Sequence, residues 1–311
     1  MTPATPNART GGLLRWGRAL ATWLYIGAAA SSGAQEISAP ALTARQEALA
    51  PRLAAGPLGL PLVIESSGDG GRTLGEIHAL LDQTFDLVVS QLRTPSHWCR
   101  VLVLQLNVKG CLHDPLVNSD TITVLSGRKG YESPGSAQVL RFAFRVVAAD
   151  SGLLHVELAA PSGPLGTSDY RITLAAVPAP QGSFVKLAYG YDTSMLSRAA
   201  TSAYLATGGL DKVGFSTVGT GADGRPIPVS GARGIVERNA VRYYLAIRAD
   251  LESPAQPGTA PTEATFRRWF DLTERWPRQL HELDWSTYID GKRRERAELP
   301  SIGGARPSRP R

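Results

Sequence analysis

Cysteine and methionine are almost missing from this chain of 311 residues, with two of each, and histidine is scarce at five. The histidines, at 78, 97, 113, 155 and 281, are too scattered to assemble into a site by spacing alone. The usual catalytic signatures are missing as well: there is no G-x-S-x-G elbow, no H-E-x-x-H and no phosphate-binding P-loop. Beyond the first 30 residues no apolar run approaches the roughly 20 residues that a membrane span needs. No internal repeat is present. The apolar content is 43%, which is ordinary for a globular protein and sufficient for a full core.

Acidic residues are absent before Glu36, and that absence frames the N-terminus. Arg9, Arg15 and Arg18 precede a short apolar run, Ala19 to Ala30, and small residues follow from Ser31 to Ala34. This is the layout of a secretory signal peptide over residues 1–34, cleaved after Ala34. An uncleaved anchor helix is the alternative, but the run is short for a span. The expected location is the periplasm.

Export changes the meaning of the basic pI of about 9.5. Without Arg9, Arg15 and Arg18 the chain holds 30 basic and 27 acidic residues. Seven of those basic residues, against two acidic ones, lie between Lys292 and Arg311, so the body is slightly acidic. No nucleic-acid groove is indicated. Residues 291–311 read as a disordered basic tail, with weak contact to a membrane surface as its one expected partner besides a ligand.

The two cysteines, Cys99 and Cys111, flank what reads as a strand. A disulfide, two free thiols and a Cys/His metal site with His97 and His113 are all open. The spacing fits no familiar zinc pattern, and an oxidising compartment favours the disulfide. That bond requires the chain to turn back near Gly110, because ten extended residues would hold the ends too far apart.

Along the chain, residues 35–60 read as a leader with one helical stretch. Pro61 to Ser66 and Arg72 to Leu81 read either as a hairpin around Gly68 to Gly71 or as one long interrupted strand. Asp82 or Thr84 caps a helix whose Phe85, Val88, Val89 and Leu92 share one face. Pro95 stops it, and Arg100 to Lys109 is expected to be extended. Strands follow at 120–127, 138–148, 153–160, 170–177 and 183–191. The clearest puts Leu140, Phe142, Phe144 and Val146 on one side and Arg141 and Arg145 on the other. A helix at 194–206, a hairpin around 213–229, a long helix at 236–251 and a last helix at 262–276 complete the order. Gly219-x-Gly221-x-x-Gly224 is expected to be a loop, because Pro226 and Pro228 forbid the helix that a dinucleotide motif needs.

The string LDQTFDLVVSQLRTPSHW, the strands as far as Tyr191 and the late helix resemble the START-like (SRPBCC, helix-grip) superfamily over Pro61 to Leu251. The strings WCRVLVLQLNVKGC, GPLGTSDYRI, DKVGFSTVG and RGIVERNAVRYYLAI are also similar to a group of exported proteobacterial proteins, which brings no activity with it. The resemblance implies an α+β fold in which a curved antiparallel sheet wraps a long helix and leaves an apolar cavity. The domain would run over 61–290, with an insertion near 192–230 and extra helices after the sheet.

In that setting the chain is expected to bind a hydrophobic or amphipathic small molecule, such as a lipid, isoprenoid or polyketide-like compound. Trp98, Phe142, Tyr189, Tyr191 and Tyr244 would line the apolar part. Arg238 or Arg242 would hold an anionic head group, since a guanidinium fork matches a carboxylate or phosphate. The opposing reading makes Glu237, Arg238 and Arg242 a solvated helix face of ion pairs. His78 and His155 read as strand residues of sheet or core, and Asp169 with Arg171 as a turn brace. No cofactor or metal is expected. The rival functions are a cyclase or dehydratase using a Tyr, Asp or Arg of the cavity, and an envelope interaction protein with a filled core.

Overall fold

The computed structural model describes residues 37–303 apart from 57, 69–70, 115, 117, 195–211 and 254–258. The expected signal segment, the expected helix at 194–206 and the end of the tail at 304–311 lie outside the described residues.

Eight strands form one antiparallel sheet: β1 (Leu62–Gly68), β2 (Arg72–Leu81), β3 (Val108–Leu112), β4 (Thr121–Ser126), β5 (Gln138–Ala149), β6 (Leu154–Ser162), β7 (Thr167–Ala179) and β8 (Gly182–Thr193). Their order is β1-β2-β8-β7-β6-β5-β4-β3, so the sheet is open, with β1 and β3 at its edges. The alternation read from β5 is realised: Leu140, Phe142 and Phe144 are buried and Arg141 and Arg145 face out. Val146, expected on the buried side, is exposed, and the β5–β6 register shifts beside it.

Helix α1 (Ala39–Ala55) covers one face of the sheet. Its Leu42, Leu49 and Leu53 pack on Val63, Ala175, Val177 and Phe184. Arg45 and Arg52 both bond Glu65 on β1, so the leader is docked onto the sheet. The other face carries the main core, built with α2 (Phe85–Leu92), α3 (Pro95–Leu102) and α4 (Gly231–Leu251). Of the two candidate caps Thr84 acts: its hydroxyl accepts from the Leu87 N–H at 3.4 Å.

Pro95 begins a helix where it was expected only to end one. Its fixed φ and missing N–H suit a first helical position. The chain from Arg100 is therefore helical as far as Leu102 instead of extended, and the strand starts only at Val108. Trp98, fully buried, braces the two short helices by donating its indole N–H to the Leu92 carbonyl at 2.8 Å.

Helix α4 lies against β2 and is buried on nearly every side, because α3 and a further helix, α5 (Glu263–Thr273), pack on its back. The approach to the sheet is closest at Gly75. A Cβ there would stand 3.0 Å from the Val236 carbonyl oxygen and 3.3 Å from the Ala240 methyl. The expected solvated face of α4 is not present: Glu237, Arg238 and Arg242 are all buried. Their polar atoms find partners across the fold in place of i,i+4 neighbours.

Strands β9 (Thr217–Thr220) and β10 (Pro226–Pro228) make the expected hairpin; Gly219 of the glycine-rich motif pairs with Ile227 inside it, and Gly221 to Gly224 form its loop. After α5 come a short turn of helix, α6 (Pro277–Leu280), and α7 (Trp285–Gly303). The tail expected to be disordered from 291 is thus helical through Gly303. Lys292 and Glu295 are buried on its inner side, while Arg293 pairs with Glu263 and Asp290 and Arg294 lies over the Tyr131 ring.

Candidate functional site

Helix α4 supplies one wall of a cleft of about 360 Å³. Ile235, Arg238, Asn239, Arg242 and Tyr243 line it at helical spacing. The turn between α3 and β3 adds Gln105, Leu106 and Asn107, the loop after β4 adds Gly127, Arg128 and Lys129, and the segment before α7 adds Glu282. A smaller cavity of about 60 Å³ shares Asn107, Tyr189 and Tyr243 with the cleft and is walled by Val124, Leu140, Phe142 and Tyr170. One region thus holds cations and amides, and its neighbour holds rings and aliphatic groups.

The cations are fixed by long-range contacts. Arg242 donates to the Leu280 carbonyl at 3.1 Å and to Glu282 Oε1 at 3.0 Å, and Lys129 Nζ reaches the same oxygen at 2.8 Å. Arg238 donates to the Val213 carbonyl at 3.3 Å. Burial alone would raise Glu282, but the Lys129 hydrogen bond and the charges of Arg242, Lys129 and Lys212 hold its carboxyl below the usual range. Gln105 and Trp269 both donate to the Arg242 carbonyl, at 3.1 and 3.2 Å, which pins this turn of α4.

Four tyrosines cluster at the inner end. The Tyr189 ring lies 5.1 Å from Tyr243, and Tyr170 stacks on Tyr191 at 5.1 Å. Burial pushes the Tyr189 and Tyr243 phenols well above their ordinary value, so both stay neutral hydrogen-bond donors at physiological pH. Asn239 hydrogen-bonds Tyr189.

Of the residues expected to bind ligand, Tyr189, Arg238 and Arg242 meet in the cleft and Phe142 lines the inner cavity. Trp98 is the brace between α2 and α3. Tyr191 backs the cluster from behind Tyr170, and burial pushes it up to about 12. Tyr244 points into the core, and burial likewise pushes it up to about 12. Sequence reasoning missed Lys129, Asn107, Gln105 and Glu282, which stand in turns that no periodicity marks. Tyr243, and not its neighbour Tyr244, lines the cleft.

Cys99 and Cys111 form a disulfide, with their Cα atoms 5.2 Å apart. The free-thiol and metal readings fall, since neither sulfur is a thiolate. The chain reverses in the turn after α3, not near Gly110. The bond lines a second cavity of about 230 Å³ between α3, β3 and α7. Beside it Lys109 and Lys292 share Glu295, at 2.9 and 3.1 Å. Burial, aided by the charge of Lys109, brings Lys292 down to about 8. His78, His97 and His155 are buried away from the cleft, and burial lowers all three. Asp169 braces the start of β7, bonding Arg72 at 2.7 Å and Arg171 at 3.1 Å, as expected of that pair.

No protein-family model and no curated protein matches the chain. Among solved structures, a Rhodobacter sphaeroides protein determined by a structural genomics consortium is 18% identical, over 47% of this chain and 89% of its own. Its TM-score of 0.28 is too low a likeness to carry the fold or a function.

Proposed function

We propose that this chain is an exported binding protein for an amphipathic small molecule with an anionic head. The observation that carries the reading is the junction of two buried arginines, one turn apart on α4, with the neutral phenols of Tyr189 and Tyr243 and the apolar cavity behind them. Guanidinium forks suit a carboxylate or phosphate, the phenols and amides orient polar atoms of the ligand, and the Phe142 side takes an apolar body. The element order supports a START-like helix-grip fold: a hairpin, two short helices, six further strands and then a long helix laid on the sheet. The layout of residues 1–34 supports export.

The enzyme alternative would draw on the same phenols. Their acidity has moved away from neutral pH, which weakens them as proton-transfer groups. The filled-core alternative is disfavoured by a cleft above the roughly 300 Å³ floor of ligand pockets.

Native mass spectrometry of the protein isolated from the periplasm tests the reading, and the mass of its N-terminus tests cleavage after Ala34 in the same run. A non-protein mass released on denaturation is expected, with less of it retained by Arg238→Gln. A protein that is empty as isolated, and stays empty after incubation with a lipid extract, would end the proposal.

A further inference from the structure

Resting on the binding-protein reading above, we propose that Glu282 is the chain's own stand-in for the anionic head of the ligand. It holds cations of the cleft while the cleft is empty and gives way when the ligand enters. One oxygen of Glu282, Oε1, lies 3.0 Å from Arg242 Nη2 and 2.8 Å from Lys129 Nζ, and all three side chains line the cleft. Glu282 is thus among the partners of both donors. An incoming carboxylate or phosphate that uses either donor must share it with Glu282 or replace Glu282 there. Sharing sets two like charges about 4 Å apart in a partly buried site, where their repulsion is about four times that in bulk water. Replacement removes the repulsion and leaves the donors to the ligand.

The local chain is suited to giving way. Glu282 stands in the non-helical link 281–284, between the end of α6 at Leu280 and the start of α7 at Trp285. Its neighbours His281 and Asp284 are exposed, so the carboxylate has water to turn into. Both ends of the link are held without it. Asp284 accepts from the Thr287 N–H at 2.8 Å at the head of α7, the His281 N–H is bonded to the Pro277 carbonyl at 3.1 Å, and the His281 carbonyl accepts from Lys212. Glu282 can therefore change partners with α6 and α7 still in place. The contact also serves the empty protein, because buried charge without a counter-charge is costly. A ligand that must first displace it binds more weakly, in proportion to how seldom the donors are released.

Calorimetric titration of the full mature chain, Glu282→Gln and Glu282→Asp with octanoate, octyl phosphate and 1-octanol, at one ionic strength, supplies the test. The probes share an alkyl chain and differ in the charge of the head. Glu282→Gln should bind at least one anionic probe about tenfold tighter than the parent and 1-octanol within about twofold of it. Glu282→Asp keeps the charge on a shorter stem, which loosens the contact with Lys129 and Arg242. It should still tighten the same anion, by about threefold, whereas long-range repulsion alone would leave it like the parent. This second variant also carries the test if Glu282→Gln does not fold. Anionic probes bound no tighter by the variants would overturn the proposal and make Glu282 a fixed scaffold for the cations. An equal gain for 1-octanol would overturn it too, since the variant would then release space and not the head-group contact. Anionic probes bound by neither parent nor variants would end the anionic-head reading itself, and the displacement with it.

Discussion

Arg100 on α3 and Asp250 on α4 meet inside the protein from 150 residues apart, with Nε 2.9 Å and Nη2 2.8 Å from Oδ1. Burial raises the Asp250 carboxyl above its usual range in spite of the guanidinium beside it. The pair is therefore expensive to bury, and its worth lies in each partner neutralising the other. Arg100→Met is expected to cost about 3–5 kcal/mol, because it strands a buried carboxylate. Arg100→Met with Asp250→Leu should recover most of that loss. Urea midpoints of the two variants check it, and a double variant no more stable than the single one would contradict the coupling.

Replacing Cys99 and Cys111 by serine should lower stability by about 3 kcal/mol, as expected for opening a loop of this length. Reductant should bring the parent to the same denaturation midpoint and leave the variant unmoved. The turn inside the loop carries Gln105, Leu106 and Asn107 of the cleft, so ligand affinity should fall together with stability.

His78 gives the protein an acid limit. Burial, then the charge of Arg45, lowers it from 6.5 to about 4, against the opposing pull of Glu65 and Glu76; Lys186 adds a further lowering. The unfolded chain takes up this proton near pH 6.5 and the folded chain only near 4, so stability is whole above 6.5 and is lost as pH falls toward 4. The loss from this group is on the order of 3 kcal/mol. His78→Gln should flatten the stability profile between those two values. An unchanged slope in the variant would remove His78 as the cause.

Glu237 anchors the segment leading into the β9–β10 hairpin. Its carboxylate accepts from the Ser66 hydroxyl at 2.5 Å and from the N–H groups of Phe215 and Ser216 at 2.7 and 2.9 Å. Glu237→Gln turns one acceptor into a donor and should cost roughly 1–3 kcal/mol. Hydrogen exchange should quicken at residues 213–216 with α4 still protected. Unaltered exchange there would show that the segment is held by other contacts.

Strand β5 was legible because α1 does not reach it, so one face there is buried and the other wet, and its alternation is printed in the sequence. Helix α3 was not, because the run Val101-Leu102-Val103-Leu104 reads equally as strand or buried helix, and length alone could not arbitrate. The polar residues of α4 misled for a different reason. Glu237, Arg238 and Arg242 are spaced like a solvated ion-pair face, and only the arrival of Ser66, Val213 and Glu282 from remote segments makes their burial tolerable. The same holds for Lys292 and Glu295, whose charges looked like tail composition but close on Lys109. Half of the cleft stands on turns, and its residues were invisible until the chain had brought those turns together.

The strand order carries a kinetic consequence. Every neighbouring pair in the sheet is a sequential hairpin except β2 with β8, whose partners Arg72 and Asp192 are 120 residues apart. Local pairings can form at once, while this one must close a loop of about a hundred residues and is expected to be the slow step of folding. Until it closes, β2 and β8 are both raw edges, and α4 lacks the assembled floor it rests on. The junction between the β1–β2 hairpin and the six-strand meander is expected to be the last seam to close, and its lifetime should set how long the nascent protein is prone to aggregate.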